Sequence, residues 1–312
     1  MHSIKIFCKP VNTAVANIIA STVRKVHSCN MDLKQVVDIL EMLAPVKHAE
    51  NWDNVGLLVE PSRPHQVNII MLTNDLTEVV MEECINKKVD LLISYHPPIF
   101  TPIKTLIGAV WKQRILVKAI ENRIAIYSPH TAWDAVPGGV NDWLVSGLGE
   151  VLFSKPVIND QYSTESAADL LDESKQSESK SIGPGRICKL LFSTPLENLV
   201  KKIKTHLSIS NVRVAFGKGC CLQSPVQTIA LCAGSGSSVL QGVAADVYIT
   251  GEMSHHQVLD AVSCGTTVVL CEHSNTERGY LPIFKDKLQS NLNCKNVQIV
   301  VSQKDSEPLV VH

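Results

Sequence analysis

The sequence predicts an α/β protein: two duplicated α/β units with mostly parallel sheets, packed around a metal site at the C-terminal ends of the strands. Three observations carry this reading. Apolar runs of strand length alternate with helix-length amphipathic stretches through both halves of the chain, the order that produces parallel sheets with right-handed crossovers. The second half repeats the first around the same polar residues. In both repeats a histidine and a carboxylate stand four positions apart where a strand gives way to a helix, His130 with Asp134 and His273 with Glu277.

The elements follow in order. LKQVVDILEMLAPV has helical spacing at Leu33, Val36, Val37, Leu40 and Leu43. VNIIMLT (67–73) is a strand, an amphipathic helix runs from Leu76 to about Lys88, and VDLLIS (89–94) is a buried strand. A helical stretch over about 109–122 leads to the strand IAIYS (124–128). Residues 154–186, rich in Ser, Asp, Glu and Lys, form a polar linker between units 31–153 and 187–312. Beyond it strands are expected near 187–193 and 212–216, flanking the helix PLENLVKKIKTHL. The strand VQTIALCA (226–233), a Gly/Ser turn, a short helix and the strand DVYIT (246–250) come next. A helix near 255–264, the strand TTVVLC (266–271), a long helix over about 276–292 and the strand VQIVVS (297–302) close the chain.

The halves superpose by eye. Asp90 precedes His96 by six positions and Asp246 precedes Glu252 by six. RIAIYSPHTAWD matches TTVVLCEHSNTE without a gap, which sets His130 on His273 and Asp134 on Glu277. Polar side chains are thereby presented at the strand ends, where open parallel sheets bind ligands.

Composition bounds the function. A net charge of −1 gives no electrostatic footprint for direct nucleic-acid binding, and no apolar run approaches the length of a membrane span. Ten cysteines without a C-x-x-C pair describe free thiols in a reducing compartment and give no thiolate zinc site. Residues 1–30 are basic, partly apolar and free of acidic residues, the composition of a mitochondrial transit peptide or of a disordered extension ahead of Met31. A mitochondrial or cytoplasmic location is expected on that basis.

Five of the eleven histidines fall at the strand ends: His96, His130, His255, His256 and His273. Two accounts compete for CEHSNTERG (271–279) and SPHTAWD (128–134). Ser274 with Glu277, and Thr131 with Asp134, fit helix-capping boxes. Alternatively His96, Asp134, His273 and Glu277 ligate one or two divalent ions (zinc, iron or manganese), an imidazole–carboxylate set suited to these metals. A carboxylate bonded back to its own N-cap cannot also point at a metal, so a structure separates the two. In GEMSHH (251–256), Glu252 and His255 are candidate catalytic residues that orient a ligand or move a proton, and His256 is a weaker one. Asp53 and Asn54 of WDNVG can line the site, or Trp52 can anchor that loop in the core. CAGSGSS (232–238) is either a phosphate cradle or a tight turn.

WDNVGLL, SYHPPIF, SPHTAWD, ITGEMSHH and CEHSNTERG, in this order, resemble the Nif-three-like family of metal-binding α/β proteins, also described as type-two GTP cyclohydrolase-like. The resemblance covers nearly everything from Met31 onward except the linker. It implies metal ligation by His96, Asp134, His273 and Glu277. It further implies a metal-dependent hydrolase acting on a nucleotide or related small molecule, or else a regulatory adaptor of the transcriptional co-repressor type, acting through protein partners and able to reach the nucleus. Ring-shaped homo-oligomers, hexamers built from dimers, are implied as well. Bacterial members carry two adjacent histidines where this chain has Tyr95–His96, which implies one firm metal position or an altered second one.

Overall fold

A computed structural model describes residues 31–157, 182–292, 294 and 296–311. The transit-peptide expectation falls on residues 1–30 and lies outside them, as does most of the expected linker.

The chain opens with the short strand β1 (Met31–Asp32) and helix α1 (Leu33–Leu43). Asp32 and Gln35 form a reciprocal capping box, and Leu33, Val36 and Leu40 bury one face of that helix. Next come β2 (Gly56–Val59), β3 (Gln66–Val67), β4 (Ile69–Thr73), α2 (Glu78–Asn86), β5 (Leu91–Ser94), α3 (Trp111–Glu121) and β6 (Ala125–Ser128). Two short helices follow, α4 (Thr131–Ala135) and α5 (Val140–Ser146), and then β7 (Val151–Lys155). The second half holds β8 (Arg186–Pro195), α6 (Leu196–Leu207), β9 (Arg213–Ala215), β10 (Pro225–Cys232), α7 (Ser237–Leu240), β11 (Val247–Thr250), α8 (His255–Ser263) and β12 (Thr267–Leu270). The chain then forms α9 (Tyr280–Asn291) and β13 (Gln298–Val301).

Two sheets result, ordered β13-β4-β5-β6-β2 and β7-β8-β10-β11-β12-β9, with β1 and β3 pairing separately. Each contains three consecutive parallel strands, β4-β5-β6 and β10-β11-β12, and each ends in an antiparallel edge strand beside the third. This likeness is the internal duplication seen as architecture.

The strands are apolar on both faces because both faces are covered. Ile70, Leu72, Leu91 and Ile93 of the first sheet share one core with Ile229, Leu231, Val247, Ile249 and Val269 of the second. The alternate residues Met71, Leu92 and Ile126 turn the other way onto α2 and α3, and Ala230, Tyr248 and Val268 turn onto α7 and α8.

Sheet membership departs from the expected division of the chain. β7 joins β8 in the second sheet, and its five residues overlap the start of the expected linker. β13, the last strand, pairs in parallel with β4 of the first sheet. The chain therefore returns to its first unit, and α9 travels with it. The strand GLLV at β2 is absent from the expected elements, since four residues without alternation give no period to recognise.

Candidate metal centre

Parallel strands aligned in one direction bring their C-terminal ends to one edge, and the core that joins the sheets brings the two edges together. His96 lies just beyond β5, and His273 and Glu277 follow β12. Ligand atoms of these three residues all fall within 4.8 Å of one another. His273 Nε2 is 3.3 Å from His96 Nε2 and 3.2 Å from Glu277 Oε1, and His96 Nε2 is 3.5 Å from Glu277 Oε2. The capping account of Glu277 is thereby overturned. The first turn after His273 is a 3₁₀ helix, Ser274–Thr276, without a side-chain cap. Ser274 Oγ instead donates to Glu307 Oε2 at 2.5 Å and accepts from Arg278 at 2.9 Å. Thr131 likewise bonds Asp53 instead of closing a box with Asp134.

Both imidazoles are held through their other nitrogen. His96 Nδ1 donates to Asp75 Oδ1 at 2.9 Å, and His273 Nδ1 donates to Glu252 Oε1 at 2.9 Å. This leaves both Nε2 atoms facing the shared centre, the arrangement by which outer carboxylates fix ligand tautomer and ring direction. Glu277 is buried, its side chain 2% exposed, and Asn74 Nδ2 donates to its Oε2 at 3.0 Å. The side-chain carbonyl Oδ1 of Asn74 is buried with no hydrogen-bond partner among the described residues. Neither Asp75 nor Asn74 was singled out from the sequence, because neither carries a spacing signal. The strand end of β4 is their only marker.

The three groups are also coupled by charge. Burial alone would lower the His96 imidazole, but the charge of Glu277 and bonds to Asp75 and Glu277 carry it up to about 10. Burial also opposes His273, yet Glu277 and Glu252 bring it up to about 9. The two imidazoles hold Glu277 well below the usual carboxylate range despite burial. Each imidazole is thus favoured in its protonated form by the carboxylate, and the carboxylate in its ionised form by the imidazoles. Two imidazole nitrogens and a carboxylate oxygen, converging and oriented from behind, fit a divalent metal ion.

The other expected site residues fall into place around this group. Asp134 is outside it: its Oδ1 accepts from Tyr95 OH at 2.6 Å, on a tyrosine only 2% exposed. Burial pushes the Asp134 carboxyl up to about 6, against the bond from Tyr95 and the charge of His130. His130, the repeat partner of His273, is bonded through Nδ1 to Asp53 Oδ1 at 2.7 Å, with its ring centroid 5.3 Å from that of His96. Asp53 thus holds His130 and Thr131, whereas Trp52 is 61% exposed. Glu252 is exposed and serves as the His273 partner. His255 and His256 are exposed on the first turn of α8, which Ser254 and Gln257 cap, and neither joins the cluster.

The Gly/Ser turn has a specific task here. Gly234 has φ +61°, and a Cβ added to it would lie 2.5 Å from Glu277 Oε1 and 3.0 Å from His273 Nε2. Glycine lets the backbone approach the centre, so the turn is a wall of the site. Gly234→Ala is expected to cost about 1–2 kcal/mol in backbone strain. It should also displace Glu277, and metal content measured on the folded variant should fall far below one ion per chain. Wild-type metal content in that variant would refute this role.

These features define a duplicated α/β protein with a His–His–Glu group, where the strand ends of its two sheets meet, that could hold a metal ion. Residues 31–308 match the Duf34/NIF3 (NGG1p interacting factor 3) family. Among its relatives, NIF3-like protein 1 of Bos taurus is 43% identical, over 94% of this chain and 98% of the bovine protein. The NGG1-interacting factor 3 of Saccharomyces cerevisiae is 36% identical, over 89% of this chain and 96% of the yeast protein. The crystal structure of a Bacillus cereus protein related to NIF3 matches the fold with a TM-score of 0.74 at 23% identity, over 90% of this chain and 99% of that one. The chain belongs to the NIF3 family.

Proposed function

We propose that this protein holds one divalent metal ion per chain on His96, His273 and Glu277 and uses it to hydrolyse a small-molecule substrate. The observation that carries this reading is the count and placement of donors. Structural metal sites are closed by four protein ligands, whereas catalytic ones offer three and keep a side open. Three donors converge here, and the two histidine side chains remain 23% and 37% exposed. A bound divalent ion would supply Lewis acidity that polarises a carbonyl or phosphoryl oxygen of the substrate.

The protein's own groups divide the remaining work. Asp75 and Glu252 orient the imidazoles, and Gly234 shapes the wall. Asp134, with a carboxyl that titrates near 6, can hold or release a proton beside the centre, Tyr95 fixing its orientation. The mononuclear reading is supported by the convergence of three donors, with Asp134 outside that group. The nucleotide class of substrate rests on family resemblance alone.

A second reading has its own observation. Between β5 and α3, Phe100, Ile103, Leu106, Ile107 and Val110 are each 38–51% exposed, and Trp111 at the start of α3 is 44% exposed. An apolar patch of this kind marks a protein-binding surface, and the yeast relative is named for a protein partner. On this reading the protein is an adaptor, or this surface joins copies of the chain in a homo-oligomer.

Metal uptake provides the test, because the ion must displace the protons carried by the raised imidazoles. At pH 7.5 binding is expected to release about two protons per ion, read from titration calorimetry in buffers of differing ionisation enthalpy. Affinity should climb with pH up to the range of about 9 to 10 in which His273 and His96 deprotonate. Uptake that releases no proton would exclude the two imidazoles as ligands. Metal-loaded protein that turns over no member of a broad nucleotide and phosphoester panel would favour the adaptor.

A further inference from the structure

The segment after β13 packs beside the His–His–Glu group, on residues that flank it, although nothing in its sequence marks it for that place. Ser302 continues the β13–β4 pairing, its N–H donating to Leu72 O at 2.8 Å, and its hydroxyl donates to the buried Glu83 at 2.6 Å. Gln303 N–H also donates to Glu83, at 3.2 Å. From this anchor the chain turns back across the strand ends. The Asp305 side chain is only 2% exposed there.

Asp305 reaches Glu277 from two sides without touching it. Its Oδ2 accepts from the backbone N–H of Asn74 at 2.8 Å, and Asn74 is the residue whose side chain donates to Glu277 Oε2 at 3.0 Å. The Arg278 guanidinium, adjacent in sequence to Glu277, donates through Nε to Asp305 Oδ2 at 3.2 Å and through Nη2 to Oδ1 at 3.3 Å. Arg278 also donates to Ser274 Oγ, which in turn bonds Glu307 of the same segment. A buried carboxylate with three donors is a rigid fixture, since loss of any one leaves an uncompensated charge or an unpaired N–H.

We infer that Asp305 is a positioning residue for the metal centre: it locks Asn74 and Arg278, and through them sets where the Glu277 carboxylate points. The inference rests on the proposal that His96, His273 and Glu277 hold the ion. It adds a reciprocal consequence, because coupling between two sites is the same in both directions. Docking of residues 302–307 raises metal affinity, and metal binding must tighten the docking of that segment.

The test uses the full chain stripped of metal and titrated with Co²⁺, whose visible absorption reports the ligand arrangement. For D305A the dissociation constant should rise up to about 10-fold with a shifted absorption band, the low end of the range for direct outer supports because Asp305 acts through Asn74 and Arg278. D305N, which keeps an acceptor but loses the charge, should fall between D305A and wild type. A role confined to fold stability would lower the Tm of metal-free and loaded protein equally and leave Co²⁺ affinity unmoved. A folded D305A with wild-type affinity and spectrum therefore overturns the inference, and D305N decides on the same criteria where D305A fails to fold. A second readout needs no mutation: saturating Zn²⁺ should slow hydrogen exchange at the Asn74 amide, and unchanged exchange would also refute the coupling. Failure of the wild type to take up either ion would sink the metal assignment itself, and the coupling with it.

Discussion

Glu277→Gln is expected to abolish metal retention while leaving the fold intact. The carboxylate is buried and faces both imidazole Nε2 atoms, with Asn74 donating to Oε2. A glutamine amide keeps one acceptor but turns an NH₂ group toward the imidazoles or toward the NH₂ of Asn74, and it carries no charge for the ion. Affinity should fall by about 100-fold or more, beyond the effect of losing an outer support. Elemental analysis after dialysis reads this directly, and a Gln variant retaining one ion per chain would remove Glu277 from the ligand set.

The same substitution has a signature in the metal-free protein. His96 and His273 are raised to about 10 and about 9 in the fold, largely by Glu277. A group raised on folding stabilises fully below its unfolded value, about 6.5 for histidine, and that contribution fades as pH rises through the folded values. Glu277, held low, contributes above about 4.5 and loses that contribution only as pH falls. Metal-free wild type should therefore be most stable between about pH 4.5 and 6.5 as far as this site is concerned, and weaken steadily up to about pH 10. Urea midpoints measured across that range should show the slope in wild type and its near absence in the Gln variant. Parallel slopes would mean that the imidazoles are not raised by Glu277.

Trp133→Ala is expected to be the most destabilising single change near the centre. Trp133 in α4 is 2% exposed, with its ring centroid 4.0 Å from that of Phe284 and 5.4 Å from that of Tyr280 in α9, and 6.1 Å from Tyr95. It fills the contact between the helix that carries Asp134 and the helix that leads to β13. Truncating a buried tryptophan costs about 3–5 kcal/mol, transfer and cavity terms together. Equilibrium unfolding in denaturant measures this, and a loss under about 1 kcal/mol would mean the site collapses onto the gap. Since Tyr95 leans on the same ring, the Tyr95–Asp134 bond should loosen as well.

How much of this could be read beforehand differs by residue, for physical reasons. Helix α1 was legible because its cap and its apolar face are local: Asp32, Gln35, Leu33, Val36 and Leu40 satisfy one another within two turns. The parallel strands were legible as apolar runs between helices. His273 and Glu277 emerged from the repeat, and so did the pairing of a histidine with a carboxylate after β6. There the repeat misled in part, because Asp53 holds His130 and Tyr95 holds Asp134. CEHSNTERG matched a capping pattern that does not form, since Glu277 gains more from two imidazoles than from its own backbone N–H.

The sequence by itself determined the alternation of strands and helices, the duplication, and which residue types could bind a metal. These follow from periodicity and chemistry within a few residues of each other. Only the tertiary structure decided that β13 returns to the first sheet, that Asn74 and Asp75 bond the His–His–Glu group, that Asp305 bonds Asn74, and that Tyr95 bonds Asp134. The partners in those contacts are separated by tens to hundreds of positions: 203 between Asn74 and Glu277, and 231 between Asn74 and Asp305. A bond across that distance exists because the shared core of the two sheets brings the strand ends together, and no local pattern encodes which buried donor will meet which buried carboxylate.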